Sequence, residues 1–286
     1  MTTPLLASTP FLPDNEYLAA ALHRIPDHAR LVALRAKLIA HQISLIPPAA
    51  PSPPHEATDD IGGWLAEVNE SAHARRLWQE QVDALAGQVQ QCNMALSNFP
   101  HAHADTLFAA LAHELNSVMA ETADITDRLV DARTATEAIA AGAADSWQQL
   151  TPLRQAYDRI RDGQHTLMYR IGDPLLLGNA VSQYIPDELA SDLVLANLDD
   201  VLPGWRGPQT GIIRVQGPPP ERRPWPADPI EQLVWLATSA ARPWVPTMQQ
   251  LEELWADRRM RTDPTPAPTR IIRPLAREAT AIFATD

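Results

Sequence analysis

Two histidines and an aspartate near the middle of the chain have a spacing that could bind a metal ion. They lie in the stretch LSNFPHAHADTLF (residues 96–108), as His101, His103 and Asp105. A zinc site needs at least three protein ligands. Asp105 stands where a helix begins, and an aspartate there is typical of a cap for free backbone N–H groups. We therefore interpret the stretch as an exposed turn between two helices and predict no metal site.

Other catalytic motifs are incomplete or absent. His113-Glu114 begins like the zinc-protease motif His-Glu-x-x-His, but the second histidine is missing. The single cysteine, Cys92, falls at an apolar repeat position, which favours a place in the core over a nucleophilic role. Phosphate-binding loops and the patterns G-x-G-x-x-G and G-x-S-x-G do not occur. The sequence thus predicts no catalytic residue and no cofactor.

The composition is that of an acidic, helix-forming protein. The 286 residues carry a net charge of -12, and all the basic residues except Lys37 are arginine, a bias typical of a GC-rich bacterial host. The negative charge opposes general binding to nucleic acid. One cysteine excludes an internal disulfide. We see no signal peptide and no run of eighteen apolar residues, so we expect no membrane partner and a cytoplasmic location, or a virion location for a phage protein.

Proline divides the chain into segments. Of 27 prolines, nine lie in 1–60, sixteen in 172–286 and two between them. Because proline inside a helix costs about 3 kcal/mol, the proline-poor part is predicted to be a helical body with irregular flanks. The predicted organisation is an N-terminal helical segment (1–46), a Pro-rich linker (47–60), an acidic helical bundle (61–171), short helices (172–202) and a Pro/Trp/Arg-rich arm with two short helices (203–286).

A seven-residue apolar repeat runs from Ile61 to Phe99 and is the clearest pattern in the sequence. Ten of its twelve a and d positions are apolar. The a positions are Ile61, Val68, Arg75, Val82, Val89 and Leu96, and the d positions are Trp64, Ser71, Trp78, Leu85, Cys92 and Phe99. Such spacing places an apolar seam along one side of a long helix.

A second repeat, in a shifted frame, runs from Phe108 to Ile171. It includes the weak stretch AAGAADS (140–146), and Pro152 is predicted to occupy the first turn of a new helix. We therefore predict helices at about 61–99, 105–145 and 151–171. The predicted fold class is all-α: an antiparallel helical hairpin or three-helix bundle with coiled-coil-like heptads and proline-rich extended arms. A coiled coil shared between copies of the chain stays open as the alternative.

The C-terminal part combines tryptophans and arginines. The first 202 residues carry a charge of -14 and the rest a charge of +2, from 11 arginines and 9 acids. Tryptophan and arginine are enriched in interface hot spots. The interface candidates are Trp225, Trp235, Trp244, Trp255, Arg258, Arg259, Arg261, Arg270 and Arg273. An equally weighted interpretation is a small helical subdomain whose tryptophans anchor its own loops.

These features favour a non-enzymatic structural or scaffolding subunit of a macromolecular assembly, such as a phage virion or capsid-assembly component. Its partners would be proteins, including copies of itself. One alternative is a regulatory or chaperone-like adaptor, which would bind a basic protein on the acidic faces of the body; between 55 and 146 there are fifteen acids and four arginines. A second alternative is an enzyme with an unrecognised site.

Overall fold

The protein is almost entirely helical in the part that its computed structural model describes, which is residues 9–51, 53, 60–172, 192–203 and 225–262. No strand occurs in these ranges, and the one sheet-like contact is an isolated antiparallel bridge between Leu195 and Pro243. The all-α fold class is thereby confirmed. The helices are α1 (Glu16–His23), α2 (Pro26–Ser44), α3 (Ile61–Ala102), α4 (Ala104–Thr126), α5 (Ala135–Ala140), α6 (Ala144–Ile171), α7 (Leu198–Val201), α8 (Pro229–Thr238) and α9 (Met248–Thr262).

The core is built around α4 and α6, which pack along each other while α1 and α8 contact both. Its fully buried side chains are mostly leucine, and each contributes roughly 1.5–3 kcal/mol through removal from water. They include Leu18, Leu22, Phe108, Leu111, Leu150 and Ile160.

Helix α1 is capped and docked onto α6 by one residue. The Asn15 side-chain oxygen accepts from the Leu18 backbone N–H at 3.1 Å. Its amide nitrogen donates to the Arg159 carbonyl at 2.6 Å and to the Asp162 carboxylate at 3.2 Å. Gly163 permits this approach, because a Cβ at that position would lie 2.8 Å from the Asn15 side-chain oxygen.

The turn between α3 and α4 is shorter than the sequence predicts. Helix α3 does not end at Phe99 but continues to Ala102 with Pro100 inside it, and His103 alone separates it from α4. Pro100 lies in the last turn of α3, where it cannot donate to the Leu96 carbonyl, and both it and Phe99 are buried. The predicted cap at Asp105 is also wrong: His103 is the N-cap, without a side-chain bond, and Asp105 lies in the first turn.

The predicted continuous helix over 105–145 is wrong. Helix α4 ends at Thr126, a 3-10 turn follows, and Val130 and Asp131 have left-handed backbones. A capping box formed by Thr134 and Glu137 then starts α5. The small a and d residues of this region bury little area per turn and stabilise a continuous helix only weakly. The capping box at Thr134 therefore starts a new helix in spite of the heptad repeat.

The predicted helix start at 151 is also wrong. The chain does break near Gly142, which has a φ of +73°, but α6 begins at Ala144 and Pro152 lies inside it. Pro152 and Gln148, whose carbonyl loses its helical partner, are both exposed residues. Trp147 and Leu150, buried on the opposite side, hold the early turns of α6 in place.

The helix pairing differs from the predicted three-helix arrangement. Helix α3 packs mainly on α2 and only slightly on α4 and α6, whereas α4 takes α6 as its main partner. The two short helices predicted for residues 203–286 are present as α8, which Asp228 caps through Ile230 and Glu231, and α9, where Thr247 and Gln250 form a reciprocal cap. The predicted segments at 52, 54–59, 173–191, 204–224 and 263–286 lie outside the described residues.

Candidate interaction surface

Helices α2 and α3 form an antiparallel pair, which we name the α2–α3 hairpin. Near the core, the His28 ring meets the Phe99 ring edge-on with centroids 5.0 Å apart. Farther out, the Arg35 guanidinium donates to the Asn93 side-chain oxygen at 2.6 Å. The sequence numbers rise along one helix and fall along the other, which fixes the antiparallel direction.

Helix α2 covers less than half of α3. At 1.5 Å per residue, the 19 residues of α2 span about 28 Å and the 42 residues of α3 about 63 Å. Beyond α2 the chain continues along α3 without helical structure, and the Ser71 hydroxyl donates to the Ala49 carbonyl at 3.0 Å. Residues 61–70 of α3 extend past this contact.

The seam of α3 is the covered side of the helix, but coverage decreases away from the core. Its last three positions, Cys92, Leu96 and Phe99, are buried. The apolar seam positions farther out are only half-buried, and they are Trp64, Val68, Trp78, Val82, Leu85 and Val89. Since the stabilisation from the hydrophobic effect scales with the area removed from water, this outer seam contributes less than a core helix of the same composition would.

The hairpin also carries most of the large apolar side chains that face solvent. Of eleven such exposed residues in the described part of the chain, seven belong to this hairpin and its continuation at 45–51. Ile43 is 79% exposed and Ile61 67%. The seven are Leu34, Ile43, Ile46, Ile61, Leu65, Leu77 and Met94. A concentration of exposed apolar residues in one element is typical of a protein–protein contact.

The hairpin is nearly neutral, whereas the chain as a whole carries a net charge of -12. Residues 26–44 and 60–99 contain six acids and five lysines or arginines. The e and g positions that flank the α3 seam are small or uncharged in nine of ten cases, with Glu67 as the exception. Five of these ten flanking residues are leucine or alanine and four are glutamine or asparagine, so the flanks carry little charge.

A histidine cluster lies where the hairpin joins the core. His28 is buried, and neither ring nitrogen has a hydrogen-bond partner among the described residues. Burial lowers the pKa of His28, and the neighbouring His23 lowers it further. His103 stacks on Phe99 with centroids 4.2 Å apart. His103 thus has a packing role, while His101 is exposed; in the described ranges no three His, Cys, Asp or Glu side chains converge to hold a metal ion.

Three of the predicted interface tryptophans pack on the chain's own core. Trp225 and Trp235 lie half-buried against each other with ring centroids 6.0 Å apart. The Trp244 indole N–H donates to the Asp192 carbonyl at 2.8 Å. These contacts support the interpretation of the three residues as internal anchors. The side chains of Trp255, Arg258, Arg259 and Arg261, and all of Arg270 and Arg273, lie outside what the structure describes.

A buried arginine, which the sequence analysis did not identify, ties the C-terminal part to α6. The Arg161 guanidinium donates to the carbonyl of Val194 at 3.2 Å and to that of Trp244 at 2.5 Å, and it lies 4.9 Å from the centre of the Tyr157 ring. Its five-donor fork suits several carbonyls at once. The role of Arg161 is structural, because its guanidinium joins three segments of the chain through their backbones.

None of the described helices combines the length and apolar character needed to cross a membrane. Comparison with models of protein families, with curated proteins and with solved structures gave no match for this chain.

Proposed function

We propose that the protein is a non-enzymatic structural subunit that assembles with other protein chains, copies of itself included, through the α2–α3 hairpin. The observation that carries this proposal is the location of seven exposed large apolar side chains on an element that leaves the core. Two helices packed on each other leave such outward-facing residues in water. A further chain packed against the hairpin would remove part of this exposed area from water.

The charge of the hairpin suits association between like chains better than docking of a basic protein on this element. A binder of basic proteins needs an acidic docking face. The hairpin instead has six acids and five lysines or arginines in residues 26–44 and 60–99, which suits apolar association between like chains. An assembly in the cytoplasm, or in the virion of a phage that infects a GC-rich bacterium, is the setting that the composition suggests.

The function is tested by measuring the mass of the purified chain over a concentration series. We expect oligomers whose fraction rises with concentration. The double variant Ile61→Glu/Leu65→Glu places two charges among the exposed apolar residues of α3, and we expect it to be monomeric at concentrations where the wild type is not.

The double variant Val130→Glu/Ile139→Glu is the control, because it places two charges at exposed apolar residues outside the hairpin; Ile139 is 68% exposed, and Ile61 67%. It should assemble like the wild type. A wild-type chain that stays monomeric at every concentration would contradict the proposal, as would equal losses in both variants.

A further inference from the structure

We infer that the outer seam of α3 between Val68 and Trp78 is a binding site for proline-rich peptides in the polyproline II conformation. The chain's own residues 45–51 fill this site and act as its ligand in cis. The external ligand that would take their place is a protein segment with two prolines spaced three residues apart. Such a site requires no self-assembly, so it goes beyond the proposed function.

The sequence of residues 45–51, LIPPAAP, favours an extended polyproline II helix. Pro47, Pro48 and Pro51 fix their own φ at about -65°, and each proline also disfavours the α-helical conformation at the residue before it. Leu45 has a φ of -71° and a ψ of 112°, and the residues after it form no helix or strand. Because a polyproline II helix has three residues per turn, every third side chain lies on the same side.

The burial of this segment follows the same period of three. Leu45, Pro48 and Pro51 are half-buried, whereas the four residues between them are exposed. Pro48 and Pro51 are thus the two prolines of a P-x-x-P motif that faces α3. Aromatic-lined grooves recognise this motif because the polyproline II helix is preformed and loses little conformational entropy on binding.

The face of α3 beside the segment lies beyond the end of α2. Since Arg35 bonds to Asn93 and both helices rise equally per residue, Ser44 at the end of α2 lies opposite about residue 84 of α3. The half-buried side chains of α3 between that point and Val68 form an apolar surface with one aromatic ring and one hydroxyl group. They are Val82, Trp78, Ala74 and Ser71.

Ser71 and Trp78 supply the hydrogen-bond donors of the site. A polyproline II helix makes no internal hydrogen bonds, so its carbonyls are free to accept. The Ser71 hydroxyl donates to the Ala49 carbonyl at 3.0 Å. The Trp78 indole N–H is buried and has no acceptor among the described residues. The cis segment therefore uses one of two donors, and a peptide that also placed a carbonyl at Trp78 would bind more tightly than the cis segment does.

The site is tested with a fluorescently labelled peptide, LIPPAAPSPP, which has the sequence of residues 45–54. In the double variant Pro48→Gly/Pro51→Gly the chain's own segment loses both inward prolines and gains conformational freedom, so it should leave the site. Fluorescence anisotropy should show that this variant binds the peptide at least about tenfold more tightly than the wild type. In the wild type the cis segment competes at an effective concentration of about 1 mM.

Pro47→Gly/Ala50→Gly is the matched control, because it places two glycines at exposed positions of the same segment. It should bind the peptide within about threefold of the wild type. In the Pro48→Gly/Pro51→Gly background, Trp78→Ala should weaken binding by about tenfold, whereas Leu77→Ala, at an exposed neighbour, should weaken it by less than about twofold. Circular dichroism should give the same helix content for the glycine variants and the wild type, since residues 45–51 contain no helix.

A Pro48→Gly/Pro51→Gly chain that keeps its helix content but does not bind the peptide would refute the polyproline site. Equal binding by this variant and the wild type, or the same binding after Trp78→Ala, would mean that the peptide binds elsewhere and would also overturn the inference. The wild type gives a second test that needs no glycine variant, because Trp78→Ala should remove its weak binding at peptide concentrations of about 1 mM. Oligomer formation is measured separately by the concentration series, so these results leave the proposed function intact.

Discussion

Single residues at the junction between the hairpin and the core show what the sequence could and could not reveal. The d position of Phe99 correctly predicted a buried side chain. His28, in contrast, is a polar residue on α2 with no signal for burial, and it is buried only because α2 folds back against the end of α3. Arg161 belongs to the same class: its partners are backbone carbonyls far along the chain, which no local pattern specifies.

Burial of His28 predicts a loss of stability in mild acid. The pKa of His28 is lowered in the folded chain, first by burial and then by His23, so the unfolded chain binds the proton more readily. The contribution of His28 to stability should therefore be complete above about pH 7.5 and be lost as the pH drops below the unfolded value of about 6.5. His165, whose pKa is lowered by burial and by the charge of Arg161, acts in the same direction.

His28→Phe keeps a ring against Phe99 and removes the titration. Urea unfolding of wild type and variant at about pH 7.5 and about pH 5.5 measures the effect. The variant should lose less stability between these two conditions than the wild type. Equal losses would mean that His28 does not carry the pH dependence.

At the scale of helices, the strength of a repeat decided whether it predicted the structure. The first heptad frame has large apolar residues such as Trp64, Trp78 and Leu96, and it correctly marks the covered side of α3. The second frame passes through Ala132 and Thr136, whose small side chains cannot hold a helix through the left-handed residues Val130 and Asp131. A periodic pattern therefore predicts a helix well where each turn buries a large side chain and poorly where it does not.

Two helical glycines provide a test of the packing. A Cβ added at Gly87 in α3 would meet nothing within 4 Å, whereas a Cβ at Gly163 in α6 would lie 2.8 Å from the Asn15 side-chain oxygen. Gly87→Ala should stabilise the protein by roughly 0.5–1 kcal/mol through helix propensity. Gly163→Ala should destabilise it by roughly 1–3 kcal/mol, because Asn15, which caps α1 and bonds it to α6, must move away from the new methyl group.

Both variants replace glycine with alanine, so any difference between their free energies of unfolding reflects the surroundings of the two positions. Chemical denaturation of the wild type and the two variants measures these free energies. Stabilisation by both substitutions would show that α1 does not approach α6 as closely as the contact with Asn15 implies.

For the whole molecule, the sequence predicted the fold class but not the arrangement of its helices. Proline distribution and two heptad frames were enough for an all-α protein with a long helix beginning at Ile61. They could not show that α2 takes the place beside α3 that was assigned to α4, since an apolar stripe does not specify its partner. This pairing leaves α4 to the core and α3 extending from it. The candidate surface follows from that topology.

The most direct test of the central claim, that the chain assembles through the α2–α3 hairpin, is amide hydrogen exchange at two protein concentrations, one below and one above the onset of assembly. Exchange in residues 61–91 of α3 should slow by at least about tenfold at the higher concentration, because assembly adds the association free energy to the cost of opening those amides. Exchange in α4 and α6 should change much less. If the hairpin exchanges at the same rate at both concentrations while the mass of the particles increases, assembly uses another surface and the account is contradicted.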